Sequence, residues 1–241
     1  MPTEKALVII PTLNEIENIS LIVEAVLAQG TPYHVLVVDN HSPDGTAAAV
    51  KKLSAGYPTR VFLLEREERA GLAAAYIDGF RWALAREYEY IFEMDADLSH
   101  DPCDLPRFIE AAETADLVIG SRYGDNRVSV VNWKWKRLLL SYGANLVTRH
   151  LTGLAVFDAT GGFKCFRRCA LAMLDLDAIV SKGYGFQIET THYLWRRGIR
   201  IVEIPIVFTE RKHGTSKMSG EIVSEALALL VRLRLRSLFS K

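Results

Sequence analysis

Three features of the sequence predict an α/β protein with a mostly parallel, Rossmann-like sheet and helices on both faces. Short runs of β-branched and aliphatic residues alternate with helical stretches through the first half of the chain. Strands that read as unbroken apolar runs are buried on both faces, and their alternation with helices implies right-handed parallel crossovers. Polar clusters follow these runs at their carboxyl ends, where ligands sit in such sheets. The third feature is composition: 241 residues, 49% hydrophobic and 24% charged. These are globular averages, and they exclude a disordered chain, a collagen and a coiled rod. A single domain over 1–241 is expected, because no internal repeat, low-complexity stretch or Pro/Gly-rich linker interrupts it.

The elements follow in order. ALVIIP (6–11) is a buried strand ended by proline, and ISLIVEAVLAQG (19–30) is a helix closed by Gly30. YHVLVVD (33–39) is the second strand, and NHSPDGT is a turn cluster leading into the helix TAAAVKKL. RVFLLE (60–65) and AGLAAAYIDGFRWALAR (70–86) are the third strand and helix. YEYIFEMDAD (88–97) is the fourth strand, PCDLPRFIEAAETA (102–115) a helix and DLVIGSR (116–122) the fifth strand. Beyond Arg122 the pattern changes. VSVVNWKWKRLLLSYGANLVTRHLTG reads as one long helix or a broken pair, with an amphipathic part assigned to 131–153. DATGGFKCFRR places turn glycines ahead of a strand, GYGFQIETTHYLWRR is helical and IRIVEIPIVF (199–208) is a strand. A polar basic loop, ERKHGTSKMSG, then precedes a basic C-terminal helix over 219–241.

A net charge of zero conceals a division. Residues 1–120 carry 9 basic and 20 acidic side chains, whereas residues 121–241 carry 20 and 9. Such asymmetry suggests that the second half meets something anionic while the first holds a cation; segregation by chance, with the halves pairing across the domain, is the plain alternative. Three cysteines, Cys103, Cys165 and Cys169, form no C-x-x-C, which excludes a disulfide scaffold and a four-cysteine zinc site and points to a reducing compartment. The apolar run at 6–10 is too short for a signal peptide, and nowhere do 18 apolar residues follow one another.

Asp95 and Asp97 stand two apart at the predicted end of the fourth strand, so their carboxylates leave the same face. Carboxylates that close repel unless a cation neutralises them, and a hard divalent ion with oxygen ligands suits the place. The alternative is a pair of solvated caps. Asp39 closes the second strand, where a carboxylate can accept hydrogen bonds from a nucleoside. No G-x-G-x-x-G and no G-x-x-x-x-G-K-[ST] is present, so hydride transfer and P-loop hydrolysis both lose ground. Nor is there an H-E-x-x-H or a G-x-S-x-G; of the histidines, only His100 lies close to the aspartates.

Two basic groupings remain. On a helical wheel Lys134, Arg137 and Ser141 share an arc of roughly 60° beside an apolar arc of Val131, Trp135, Leu138, Leu139 and Tyr142. That suits a helix in a membrane interface, though a core-facing helix with a solvated basic side is the commoner arrangement. Together with Arg122, the pair Arg137 and Ser141 can hold a phosphate by charge-assisted bonds. The loop from Arg211 to Lys217 gathers cationic groups around Gly214 and can neutralise a diphosphate leaving group, or simply be solvated.

Taken together, PTLNEIENI, VVDNHSPDGT, RAGLAAAY, MDADLSHDP, GSRY, KRLLLSYGAN, DATGGFK, SKGYGFQIE and VEIPIVFTERKHGTSKM resemble the family 2 glycosyltransferases of the GT-A fold. Within them the likeness is to the dolichyl-phosphate, or polyprenyl-monophosphate, mannose synthases. The motifs cover almost the whole chain in the family's order. The resemblance implies a GDP-mannose donor bound by Pro11, Thr12, Asn14, Glu15, Asp39 and Ala96. It implies Mg²⁺ or Mn²⁺ on Asp95 and Asp97, and an acceptor phosphate on Arg122, Arg137 and Ser141. Arg211 and Lys217 match a loop that closes over the donor diphosphate. Asp97, Arg122, Arg211 and Lys217 would be the catalytic set. Ser99 stands where many relatives offer glutamine as a further metal ligand, Asn40 where a second aspartate is frequent, and Ala73 where Gly-Leu-Gly is usual.

The resemblance also implies inverting transfer to a polyprenyl monophosphate, which is mostly dianionic near neutral pH because its second ionisation lies at about 6. Such a nucleophile needs no general base. Peripheral attachment to the cytosolic face of a membrane is expected, with a small transmembrane partner subunit as one possibility and no nucleic acid involved. Two alternatives stand beside it: a donor such as UDP-glucose, and a non-catalytic adaptor that binds lipid phosphate or nucleotide.

Overall fold

The computed structural model describes residues 5–124, 127–133, 135–183, 185–210 and 228–235. Its centre is β1 (Ala6–Thr12), flanked by β2 (Tyr33–Asp39) on one side and β4 (Tyr90–Glu93) on the other, both parallel to it. β3 (Val61–Glu65) lies outside β2. On the other flank β9 (Lys164–Arg167) runs antiparallel between β4 and β5 (Leu117–Ser121), and β10 (Ile201–Pro205) closes the edge parallel to β5. The strand order is therefore β10-β5-β9-β4-β1-β2-β3. The order switches direction beside β1, and in open α/β sheets the crevice at that switch, beyond the carboxyl ends of the strands, receives the ligand.

Alternation along β1 builds two cores. Val8 and Ile10 face α1 (Ile19–Leu27), α2 (Thr46–Gly56) and α4 (Leu105–Ala112), whereas Leu7 and Ile9 face α3 (Leu72–Leu84) and α7 (Gly185–Arg196). Residues 6–10 are completely buried, as an apolar run covered on both faces requires. A helical segment over 228–235 adds Leu229, Leu230 and Leu233 to the α7 side; the rest of the C-terminal helix assigned to 219–241 lies outside the described residues.

Several boundaries differ from the sequence reading. The fourth strand ends at Glu93, where its ladder with Ile9 of β1 ends, so Asp95 and Asp97 occupy the loop beyond it. The predicted 199–208 strand is two pieces, β10 and β11 (Phe208–Thr209). The helix assigned to 131–153 begins instead at Trp135, as α5 (Trp135–Thr152). Ahead of it lie the short strands β6 (Tyr123–Gly124), β7 (Arg127–Val128) and β8 (Val130–Val131). β8 pairs with β11, and Asn132 turns the chain at φ 63°, so Val131 belongs to a strand. A four-residue helix, α6 (Arg168–Leu171), follows β9.

Helix α5 presents its sides in an unusual sense. Its buried residues are Asn145, Thr148 and Thr152, while Trp135, Leu139, Tyr142 and Leu146 are exposed. Those four recur at the spacing of one helical stripe, so the apolar side of the helix faces outward. The core-facing alternative is thereby excluded.

Gly120 of β5 shows how tightly the sheet is seated beneath the crevice. A Cβ there would lie 2.8 Å from Phe108 Cζ and 3.0 Å from Ile206 Cδ1. Gly120→Ala is expected to destabilise the chain by about 1–3 kcal/mol, the usual cost of overpacking a filled core. At about 2–4 °C per kcal/mol for a chain of this size, differential scanning calorimetry will show a clear drop in Tm.

Candidate active site

The loops after β1 and β2 are joined by hydrogen bonds. Thr12 Oγ1 donates to Asp39 Oδ1 at 2.9 Å, and the Ser42 amide donates to Asp39 Oδ2 at 2.9 Å. Asn14, at φ 60°, donates its amide to Ser42 Oγ, and the Glu15 amide reaches Thr46 Oγ1. Asp39 and Thr12 are thus buried and bound to each other, with Pro11 and Glu15 half-buried and Asn14 exposed above them. Asn40 accepts the Ala70 amide on its side-chain oxygen, tying down the loop that carries Ala73. That loop is pinned again where the Ala73 amide donates to the Lys182 carbonyl at 3.2 Å. Gly71, at φ +87°, is the residue that allows this approach, since a Cβ would stand 3.1 Å from the same oxygen.

Asp95 follows β4 into the crevice and lines it, whereas Asp97, two residues on, is buried and is not among the lining residues. Asp97 Oδ1 accepts the Ser99 amide at 3.1 Å, and the methyl of Ala96 packs into the core, so any ligand contact by Ala96 runs through its backbone. Ser99 itself is buried, and its hydroxyl has no hydrogen-bond partner among the described residues. His100 lines the cleft beside Asp95; its Nδ1 accepts the Asp95 amide at 3.2 Å, so that nitrogen is committed, and its ring stacks on Phe163. Burial pulls it down to about 4, so the ring is neutral, as an acceptor must be.

Across the crevice stands Arg122, at the end of β5. Its Nε and backbone N–H donate to Asp158 Oδ2 at 2.7 and 2.9 Å, and its Nη2 to Asp158 Oδ1 at 2.6 Å. Thr160 Oγ1 accepts from the same Nη2 at 2.8 Å. Burial alone would raise the Asp158 carboxyl, but the guanidinium outweighs it and holds the group below its ordinary value. Asp158 is held in turn, its amide donating to Glu203 Oε1. Arg137, on the first turns of α5, donates to Glu210 Oε1 at 2.8 Å. Ser141 lies one turn further on, half-buried.

One cleft carries these groups together: Asp95, Arg122, Arg137, Thr160 and Gln187 all line it. Gly162 stands against Asp95, where a Cβ would be 3.7 Å from both carboxylate oxygens. Beneath the cleft, Lys164 donates to the Gln187 carbonyl at 2.8 Å and to Thr191 Oγ1 at 2.9 Å, anchoring α7 to β9. Glu93 opposes Lys164 in the β4–β9 register; burial pushes Glu93 up to about 7 and Lys164 down to about 8. Neither this pair nor the Asp158 and Glu210 partners are assigned by the sequence reading. A glutamate inside YIFEM and a lysine inside FKCF are charges within apolar strands, and that signal was available. Arg211 and Lys217 lie outside the described residues.

The carboxylate donors fit a hard divalent cation. Among the described residues no group of three or more His, Cys, Asp or Glu side chains could enclose an ion. Two carboxylates with remaining positions for water and a substrate phosphate are the usual Mg²⁺ arrangement.

The family model for glycosyl transferase family 2 matches residues 7–175. The chain belongs to that family. It is a glycosyltransferase of the GT-A fold. It is 48% identical over 227 residues to a polyprenol monophosphomannose synthase of Mycolicibacterium smegmatis, covering 94% of this chain and 85% of that protein. An undecaprenyl-phosphate mannosyltransferase of Micrococcus luteus is 47% identical over 228 residues, covering 95% and 93%. Among solved structures, glucosyl-3-phosphoglycerate synthase of Mycobacterium tuberculosis with Mg²⁺ and UDP superposes with a TM-score of 0.71 at 18% identity, over 96% of this chain and 79% of that one. This last likeness is one of fold.

Removing one partner of a buried ion pair strands the other. Asp158→Ala is therefore expected to cost about 3–5 kcal/mol, read as a lower urea midpoint. A carboxyl depressed in the folded state stabilises above its unfolded value, near pH 3.9, and loses that contribution as pH falls through the folded value. The deficit of Asp158→Ala relative to the wild type should accordingly be full at pH 7 and shrink below about pH 4.

Proposed function

We propose that the chain transfers mannose from GDP-mannose to a polyprenyl monophosphate, with inversion at the anomeric carbon. The observation that carries this reading is the single cleft in which Asp95 faces Arg122 and Arg137. Two anionic substrates must meet for such a transfer, and each needs its own counter-charge. The names of the two relatives at nearly half identity support the same acceptor class and sugar.

Each residue then has a defined task. Asp95 and Asp97 would hold Mg²⁺ or Mn²⁺, which when bound supplies positive charge to the leaving diphosphate. Pro11, Thr12, Asn14, Glu15 and Asp39 shape the nucleotide side of the crevice. Arg122 and Arg137, with Ser141, receive the acceptor phosphate; Asp158 keeps the Arg122 guanidinium in one orientation by occupying its Nε and Nη2 edge. Arg211 and Lys217 are assigned to the diphosphate. A phosphate dianion is itself the nucleophile, so the chain's work is to orient it and stabilise the departing charge rather than to remove a proton. Displacement from the face opposite the diphosphate converts an α-linked donor into a β-mannosyl phosphate.

The acceptor's lipid tail needs an apolar surface, and the outward stripe of Trp135, Leu139, Tyr142 and Leu146 on α5 begins two residues before Arg137. We assign this stripe to the membrane interface, with Arg137 and Ser141 at headgroup level. No helix among the described residues is long and apolar enough to cross a bilayer.

Transfer of labelled mannose to a short polyprenyl phosphate, with and without EDTA, tests the reaction. Asp97→Ala should reduce kcat/KM by at least about a hundredfold, as loss of a group that stabilises the leaving charge does, and the product should carry β configuration. Near-normal transfer by that variant, or a retained α linkage, would contradict the reading; stabilisation by UDP and not GDP in a thermal shift with Mn²⁺ would replace the donor. In flotation with anionic liposomes at low salt the protein should rise with the lipid, and Leu139→Glu/Leu146→Glu should leave it at the bottom.

A further inference from the structure

Trp133, packed behind two arginines that line the cleft, has no role in the function proposed for that site. It is half-buried between Asn132 and the start of α5. The Arg137 guanidinium carbon lies 4.3 Å from its ring centroid and that of Arg122 lies 5.4 Å away. Phe208 meets the same ring edge-on at 5.4 Å, and Phe208 and Tyr123 each stand 5.6 Å from the Arg122 guanidinium. The indole Nε1–H is buried and finds no acceptor among the described residues. The ring is thus fixed by packing and by the cations, and what it offers them is its electron-rich face.

Two guanidinium groups brought to one side of a cleft repel each other. Asp158 and Glu210 neutralise their far edges, but neither carboxylate touches both arginines. Among the described residues, Trp133 is the aromatic group that lies against both. Among the described residues each guanidinium also keeps donors unspent: Arg122 Nη1 makes no hydrogen bond and Arg137 uses only Nη1. We infer that Trp133 is a positioning residue whose indole ring holds the Arg122 and Arg137 guanidinium groups in place to receive one phosphate, without itself touching that phosphate. This rests on the reading of the two arginines as acceptor-phosphate ligands.

The test is steady-state kinetics with GDP-mannose and a short polyprenyl phosphate, each varied at saturation of the other, together with calorimetric binding of the polyprenyl phosphate alone. Trp133→Leu should raise KM and Kd for the polyprenyl phosphate roughly 5- to 30-fold, the loss expected for two cation–π contacts. The KM for GDP-mannose should stay within about twofold, and Trp133→Phe, which keeps a ring face, should recover most of the loss. Trp133→Met carries the same expectation should the leucine variant not fold. Unchanged acceptor KM and Kd in the leucine or methionine variant overturns the inference alone. So does a parallel loss for both substrates, or a phenylalanine variant as impaired as leucine. Wild-type protein that binds no polyprenyl phosphate overturns the acceptor reading and this inference with it.

Discussion

A guanidinium almost removed from water is tolerable only against a carboxylate in good geometry, and the Arg122–Asp158 pair meets that condition with three hydrogen bonds to one group. The far side of the crevice depends on it. The pair joins the end of β5 to the turn ahead of β9, and the Thr160 hydroxyl and, from α5, Asn145 donate to the same carboxylate. Because Nε and Nη2 are committed to Asp158 and Thr160, the guanidinium plane is fixed, and with it the directions in which Nη1 can donate. A cation held that way is a directed donor rather than a diffuse charge. Asp95 contributes to keeping it protonated from across the cleft.

Helix α5 solves a second problem with the opposite chemistry. A helix that turns asparagine and threonine inward and tryptophan, leucine and tyrosine outward gains little from the protein core. Its inward donors are satisfied locally: Thr148 and Thr152 donate to carbonyls one turn back, and the Asn145 amide nitrogen donates to Ser141 and Asp158. The apolar stripe is then left for another apolar phase, and it lies on the same helix as the cation that meets the headgroup.

The parallel half of the sheet was legible because its strands are unbroken apolar runs, and the aspartates and arginines stood out as polar residues at their carboxyl ends. Less legible were features that depend on distant pairing. Nothing local in KCFR says that this strand inserts antiparallel between β4 and β5. The early start given to α5 failed for the same reason: helical periodicity runs through Val131, yet β8 is claimed by β11 some eighty residues later. Asp158 opens DATGGFK and reads as an ordinary turn aspartate until Arg122 is placed beside it. Trp133 carried no signal, since a tryptophan next to lysines is common at interfaces.

The placement of β9 also bears on how the chain is made. Both sheet neighbours of β5 are encoded after it, β9 first and β10 later. As the polypeptide leaves the ribosome, β1 to β4 can assemble as a self-contained half, but Leu117, Val118 and Ile119 emerge with no strand to join. They wait until residues 164–167 arrive to bridge them to β4. Nascent chains of this enzyme therefore pass through a stage in which an apolar strand is synthesised and unpaired, the condition under which holdase chaperones engage and truncated products aggregate.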